Sequence, residues 1–255
     1  MNNRVSQHFA RSLPVLFLLT VTAACTPAPV AQGIDDPHEA TNRQIHAFNR
    51  SVDRALFSGD RGVLRGVGDL PAPILRSASN AGGHLGLPGK VVNSLLQGRI
   101  EDAGQNAFRF LINSTFGLAG LFDPATTDFG LPEVDTDFGE TLHVWGFGEG
   151  AYVELPLLGP STARDTVGRI VDAVIDPVGA SLDGDDAKVA TGLNIASKVS
   201  DRLRFGDSVD SILHESADSY AQMRLLYLQN RRYELGMQAE TDADAYDPYE
   251  DPYAQ

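Results

Sequence analysis

The chain has a single cysteine among its 255 residues, which excludes an internal disulfide framework and a thiolate metal cluster. Positive charge is also scarce. Lys and Arg number 20 against 34 Asp and Glu, a formal charge of −14 at pH 7. Nucleic-acid binding needs a basic face, so no nucleic-acid partner is expected. No stretch matches the roughly 20 apolar residues of a membrane-crossing helix; the apolar run Leu13–Ala24 has 12. Signatures of chemistry are missing too. There is no HExxH, no G-x-S-x-G elbow and no dinucleotide G-x-G-x-x-G. What is present is a 42% hydrophobic chain, ordinary for a folded protein and long enough for one domain or a tight pair.

The N-terminus reads as an address. Arg4 and Arg11 form a basic segment before the apolar run, as in a secretory signal. Thr22-Ala23-Ala24 then precede Cys25, and TPAPVAQG follows as a tether. This arrangement resembles a bacterial lipobox, in which the cysteine becomes the acylated first residue; an ordinary signal cleaved near Ala24 is the alternative. Thr22 departs from the usual Leu. Thr26, rather than the Asp that favours inner-membrane retention in enteric bacteria, points to the outer membrane. The predicted organisation is a signal peptide at 1–24, a tether at 25–35, a helical domain at 36–236 and an acidic disordered tail at 237–255.

Within the domain, Asp36 reads as an N-cap, Pro37 as the first helical residue and Glu39 as completing a capping box. Ile45, Phe48, Val52 and Leu56 recur at helical spacing, with Asn42, Arg43, Asn49, Arg50 and Arg54 off that stripe. An amphipathic helix to about Phe57 is predicted. Residues 69–88 are rich in Pro and Gly, which predicts short helices and turns, then a short helix over Lys90–Leu96. Ala107, Phe108, Phe110, Leu111, Ile112, Phe116 and Leu118 go almost all round a helix. That element is either a central core helix or one with a face on lipid. A long acidic loop is expected over 121–141, an extended run over 152–158, and helices over 163–174 (capped by Ser161 or Thr162), 188–205 and 208–235.

Candidate chemistry is thin. The six histidines stand singly, giving no metal-ligand spacing. Ser161 reads as a cap before it reads as a nucleophile. Gly146, Gly148 and Gly150 suggest a tight turn, and Glu133, Asp135, Asp137 and Glu140 lack the calcium-loop pattern. No cofactor and no metal are expected.

Four blocks in order carry a resemblance: DPHEATNRQIHAFN (36–49), LPGKVVNSLLQG (87–98), RFLINSTFGLAGLFDPAT (109–126) and DTDFGETLHVWGFGEGAYVELPLLGPSTARDTVGRIVD (135–172). Together they resemble the MlaA (VacJ) family of outer-membrane phospholipid-asymmetry lipoproteins. Asn42, Arg43, Arg109, Asn113, Gly139, Trp145, Gly146, Arg164 and Asp165 carry the motif. Thr41 and Leu87 depart from it, which bears on local packing.

The resemblance implies a mainly α, single ring-like helical domain embedded at the periplasmic leaflet of the outer membrane of a Gram-negative bacterium. It implies an amphipathic channel, a trimeric porin as neighbour, and a soluble periplasmic lipid-carrier protein that receives mislocalised phospholipid. No enzymatic step is implied. Phe48 and Asn49 would lie near the channel, and Phe116, Gly117, Gly120, Leu121 and Asp123 in a gating hairpin beside it. Two rival readings are a structural envelope lipoprotein bracing porins without moving lipid, and a phospholipase-like enzyme using Ser161 or His143.

Overall fold

A computed structural model describes residues 33–57 and 62–236. The leader, Cys25, most of the tether and the tail lie outside the described residues. The helices in the first half are α1 (Glu39–Phe57), α2 (Arg65–Gly68), α3 (Ala72–Leu96), α4 (Ile100–Thr115), α5 (Pro124–Thr127) and α6 (Phe138–Val144). An antiparallel hairpin follows, β1 (Tyr152–Leu155) against β2 (Gly159–Thr162), with Tyr152 opposite Thr162. The second half holds α7 (Ala163–Ile175), α8 (Gly184–Arg204), α9 (Gly206–Asp210), a π turn (Ser211–Glu215) and α10 (Ser219–Glu234). The mainly helical class is as expected.

Three boundaries differ from expectation, each for a specific reason. Asp36 does not cap α1. Its carboxylate accepts hydrogen bonds from Asn42 Nδ2 at 2.9 Å, from Tyr220 and from Arg224, so it is drawn onto α10 instead. Residues 72–96 form one helix despite its glycines and Pro88, because packing on both α4 and α8 supplies what propensity lacks. The expected helix over 208–235 is interrupted at Ser216, whose ψ is 149°. Asp218 restarts it, accepting the Ala221 amide at 3.1 Å. The long loop is also shortened by α5 and by the start of α6.

Small residues set the α3–α8 crossing. A Cβ on Gly82 would lie 2.3 Å from that of Ser197. Ser200 Oγ donates to the Leu75 carbonyl at 2.7 Å, and Ser79 Oγ to Asp201 at 2.8 Å. Close approach with hydroxyl cross-bonds is how helices associate where the hydrophobic effect is absent.

The polarity of the whole fold is inverted. The buried set is dominated by polar side chains, among them Asn42, His46, Asn93, Asn106, Arg109, Asn113, Thr141 and Glu154. Large apolar side chains face outward, with Ile100 68% exposed, Phe108 63% and Phe116 72%. On α4 the buried stripe is Ala103, Asn106, Arg109 and Asn113, so the core-helix alternative fails and the apolar face is the outer one. The same reversal holds on α1, where Asn42 and His46 are buried and Phe48 is exposed. Among the described residues no helix is long and apolar enough to cross a membrane.

Among the described residues the compact apolar cluster is Tyr152, Tyr220 and Leu228, with Tyr227 against it. Each tyrosine hydroxyl donates to a carboxylate: Tyr152 to Glu154, Tyr220 to Asp36, and Tyr227 to Asp165 at 2.7 Å.

Candidate functional site

A cavity of about 530 Å³ opens where α1, the hairpin tip, α8, the π turn and α10 meet. Val52, Leu56, Ile195, Val199, Leu213 and Met223 give it a broad apolar wall. Lys198 also lines it, and two hydrogen-bonded polar groups interrupt that wall. The first is Glu154, a buried carboxylate within 3.3 Å of His46 Nδ1 and accepting from Asn49 Nδ2 at 3.3 Å. Asn49 also donates to the Leu155 carbonyl at 2.9 Å and accepts the Leu157 amide at 2.7 Å. It thereby holds the hairpin tip, where Leu157 has φ of +64° and, with Leu158, faces outward.

The second is a clip made by Arg202. Its guanidinium donates to Asp53 at 2.7 and 2.8 Å and to Asp210 at 2.5 Å, while His214 Nε2 lies 2.9 Å from Asp53. Burial pushes the Asp53 carboxyl up, but hydrogen bonds from Arg202 and His214 outweigh it and hold the pKa below the usual carboxylate range. Asp53, Asp210 and His214 are close enough together to hold a metal ion. Arg202 already answers both carboxylates, so the trio reads as an ion-pair clip.

The segment after α4 is built as a strained turn. Leu118, Ala119 and Gly120 all have positive φ, at 50°, 55° and 86°, a conformation that costs roughly 1–2 kcal/mol for each residue with a side chain. Gly117 and Gly120 are required there. A Cβ on Gly117 would sit 2.5 Å from the Phe122 carbonyl oxygen, and one on Gly120 would sit 2.4 Å from the His84 ring. The inner face of α4 straps the chain beyond. Arg109 donates to Thr126 at 2.7 Å and to Asp123, Asn113 Nδ2 to Asp123 at 2.8 Å, and Asn106 Nδ2 to the Val134 carbonyl at 2.9 Å. Burial pushes the Asp123 carboxyl up, but hydrogen bonds from Thr126 and Asn113 and the charge of Arg109 bring it below its ordinary value.

The 135–172 block is a second clip. Asp137 caps α6 through the Glu140 amide at 2.8 Å, and Thr162 caps α7 through the Asp165 amide at 3.2 Å. Arg231 of α10 reaches between them, donating to Asp137 at 2.7 Å and to Asp165 at 3.1 Å. Arg164 Nε donates to Asp165 at 3.0 Å. Trp145 Nε1 donates to the Leu96 carbonyl at 3.1 Å, and Gly146 turns the chain with φ of +91°. Asn42 and Arg43 join α1 to its neighbours. Asn42 Oδ1 accepts the Glu154 amide at 3.1 Å, and Arg43 pairs with Asp218 at 3.0 and 2.9 Å. Ser161 is buried, accepting from Thr166 at 3.1 Å and donating to the Thr162 carbonyl at 3.3 Å; no histidine is among its partners.

Of the residues singled out by sequence, Asn49 lines the 530 Å³ cavity, while Phe48 does not. Phe116 and Asp123 line a different pocket, of about 640 Å³, with Arg76 and Arg204. Gly117, Gly120 and Leu121 lie in the turn between those two. Of the apolar lining, Val52 and Leu56 stand on the α1 stripe read from the sequence, while Ile195, Val199, Leu213 and Met223 come from the predicted helices 188–205 and 208–235, which the sequence did not bring together. Three apolar stripes, on α1 and on the predicted helices 188–205 and 208–235, without an evident partner helix were the signal for a cavity.

An apolar exterior, a hydrogen-bonded polar interior and an amphipathic cavity define a helical protein built for a lipid environment. The sequence profile described as "MlaA lipoprotein" matches residues 34–234. The intermembrane phospholipid transport system lipoprotein MlaA of Escherichia coli (strain K12) is 31% identical over 207 residues, 79% of each chain. That of Haemophilus influenzae is 29% identical over 206 residues, again 79% of each, and a Rickettsia bellii protein is 31% identical over 198 residues, 77% of this chain and 75% of that one. A solved structure described as "Structural basis for maintenance of bacterial outer membrane lipid asymmetry" matches with a TM-score of 0.64 and 28% identity, over 78% of this chain and 98% of that one. The chain belongs to the MlaA lipoprotein family.

Proposed function

We propose that the protein is the outer-membrane lipoprotein of an intermembrane phospholipid transport system. Acyl groups on Cys25 hold it at the periplasmic side of the outer membrane, and it sits in the inner leaflet beside a trimeric porin. It takes mislocalised phospholipid from the outer leaflet and passes it to a soluble periplasmic carrier, so that lipid asymmetry is maintained. The work is transfer without bond cleavage, not catalysis.

The observation behind this reading is the inverted polarity joined to the amphipathic cavity. Phe108, Leu111, Phe116 and Ile100 are exposed together on and after α4. Each such side chain gains roughly 1.5–3 kcal/mol on full burial in an apolar phase, so a lipid leaflet supplies what no protein neighbour does. A phospholipid on the move needs apolar walls for its chains and polar groups for its headgroup, and the cavity offers both. Asn49 belongs to that path, and Phe48 to the outer face of the same helix. The turn from Phe116 to Asp123 acts as a gate, with Gly117, Gly120 and Leu121 setting its shape.

The test is surface-exposed phospholipid, read with a membrane-impermeant label in a deletion strain. Wild-type protein restores low labelling, and Cys25→Ala does not. Labelling that stays low in the deletion strain, with porins intact, sinks the transport reading.

A further inference from the structure

A second pocket, of about 420 Å³, lies on another face of α1, and His46 belongs to the walls of both it and the 530 Å³ cavity. Its α1 wall is Arg43, Ala47, Arg50, Ser51 and Arg54, one helix face at steps of three and four. Among the described residues Asp218 is the one carboxylate in the lining, against three guanidinium groups, in a chain whose formal charge is −14. The pocket is thus a basic spot on an acidic protein.

The arginines are not equivalent. Arg43 is answered by Asp218 and by Glu39 at 2.7 Å, and its guanidinium lies 4.5 Å over the Tyr220 ring. Arg50 donates to the His214 carbonyl at 3.1 Å, a neutral acceptor. Its Nε has no partner among the described residues but is shut off from solvent, so the donors it offers a ligand are those of the terminal nitrogens. A guanidinium carries five N–H donors and binds phosphate through paired bonds, so Arg50 retains both charge and donors for an anion. His46 has no spare donor. Its Nε2 is 3.0 Å from Ser219 Oγ and its Nδ1 faces Glu154, so it is held in place where the basic pocket and the apolar cavity adjoin, lining both.

We propose that the arginine pocket binds the phosphodiester of a phospholipid, with Arg50 as its main contact, while the acyl chains of the same molecule occupy the apolar cavity across His46. This rests on the transport reading above and names the headgroup subsite of that path. The phosphodiester is common to phospholipids of different headgroup, so the pocket accepts anionic and zwitterionic lipids alike.

The test titrates the full-length lipidated protein in detergent, by calorimetry, with four probes. These are dihexanoyl phosphatidylglycerol, dihexanoyl phosphatidylethanolamine, dihexanoylglycerol (which lacks phosphate) and inorganic phosphate. Both phospholipids bind, and dihexanoylglycerol binds about tenfold more weakly or less. Arg50→Gln weakens both phospholipids by about tenfold, the scale of one charge-assisted hydrogen bond, while Lys188→Gln on the exposed side of α8 leaves them unchanged. Ser51→Asp places a carboxylate in the pocket from an exposed helical position and produces the same loss, so a folding defect in Arg50→Gln does not leave the matter open.

Inorganic phosphate binding as tightly as phospholipid, and lost in Arg50→Gln, marks a free-phosphate site and overturns the lipid assignment. Equal phospholipid affinity in wild type and both variants overturns the pocket altogether. Normal clearance of surface phospholipid by variants with unaltered binding separates that failure from failure of the transport reading, which would then stand.

Discussion

A Cβ placed on Gly168 would lie 2.4 Å from the amide nitrogen of Gly139, so α6 and α7 cross with no room for a side chain between them. Overpacking of this kind costs about 1–3 kcal/mol. Gly168→Ala therefore lowers the melting temperature by several degrees, at about 2–4 °C per kcal/mol for a chain of this size. Gly104 on α4 meets nothing within 4 Å, and Gly104→Ala raises the midpoint, by up to about 1 kcal/mol of helix stability. Equal midpoints for the two variants, measured in one detergent, would remove the crossing from this account.

The clip above that crossing predicts a specific acid sensitivity. Burial pushes the Asp165 carboxyl up, but the charges of Arg231 and Arg164 outweigh it and leave the pKa lowered. A lowered carboxylate contributes stability that is complete above its unfolded pKa, about 3.9, and is lost as pH falls through its folded value. The wild-type loss therefore falls below about pH 4. Arg231→Met leaves Asp165 and Asp137 without that cation, costs about 3–5 kcal/mol at neutral pH, and moves the acid limb upward. Urea midpoints from pH 3 to pH 7 read both effects. An acid limb that stays in place in the variant contradicts the assignment.

Two buried histidines act in a higher window. Burial, reinforced by Arg109 for His84 and by Arg164 and Arg231 for His143, lowers both pKa values. The folded protein therefore takes up protons less readily than the unfolded chain, whose histidines titrate near 6.5. Stability is full above that value and declines as pH falls from about 6.5 toward the folded pKa values. His84→Gln and His143→Gln each flatten the slope of stability between pH 7 and pH 5. A slope that survives both substitutions assigns the dependence elsewhere.

How much of this was legible in the sequence depends on which rule the chain obeys. Helix existence was legible over 39–57, 100–115, 163–175 and 184–204, because apolar periodicity marks a helix whichever way it faces. Sidedness was not. The assumption that the apolar stripe of α1 is the buried one fails at Asn42 and His46, whose partners Asp36, Glu154 and Ser219 lie up to 173 residues away. The continuity of α3 through Pro88 was hidden for a similar reason, since α8 packing enters no local propensity. Around the cavity, Asn49 was singled out by the resemblance of the 36–49 block, and the structure adds that it is one of the lining residues. The arginine row at 43, 50 and 54 was visible as an off-stripe face, but nothing local distinguished Arg50 from Arg43; Asp218 does that from the far end of the chain.

The turn after α4 predicts a conformational requirement at Gly120. Its φ of +86° is one that residues with a side chain rarely adopt, and the His84 ring leaves no space for a Cβ. Gly120→Ala displaces the turn from His84, which breaks the 3.1 Å contact between His84 Nε2 and Ser114 Oγ. Chymotrypsin cleavage and amide exchange over 116–123 increase, and surface phospholipid rises in cells carrying the variant. Protection of those amides at the wild-type level would show that the turn tolerates the substitution.

The cavity itself is tested by filling it from its open side. Ile195 lines the 530 Å³ space yet is 58% exposed, so Ile195→Trp adds volume without forcing a packed core apart. Val189, on the same helix and 61% exposed, is absent from the lining and supplies the control. If acyl chains use the cavity, Ile195→Trp raises surface-exposed phospholipid toward the level of the deletion strain at an unchanged melting temperature, while Val189→Trp behaves as wild type. Ile195→Asp has the same effect by a different route, because an unpaired carboxylate among apolar walls opposes entry of hydrocarbon. Bulk and charge at one position converging on one phenotype would point to passage through the cavity, whereas normal clearance by both would place the lipid path elsewhere in the fold.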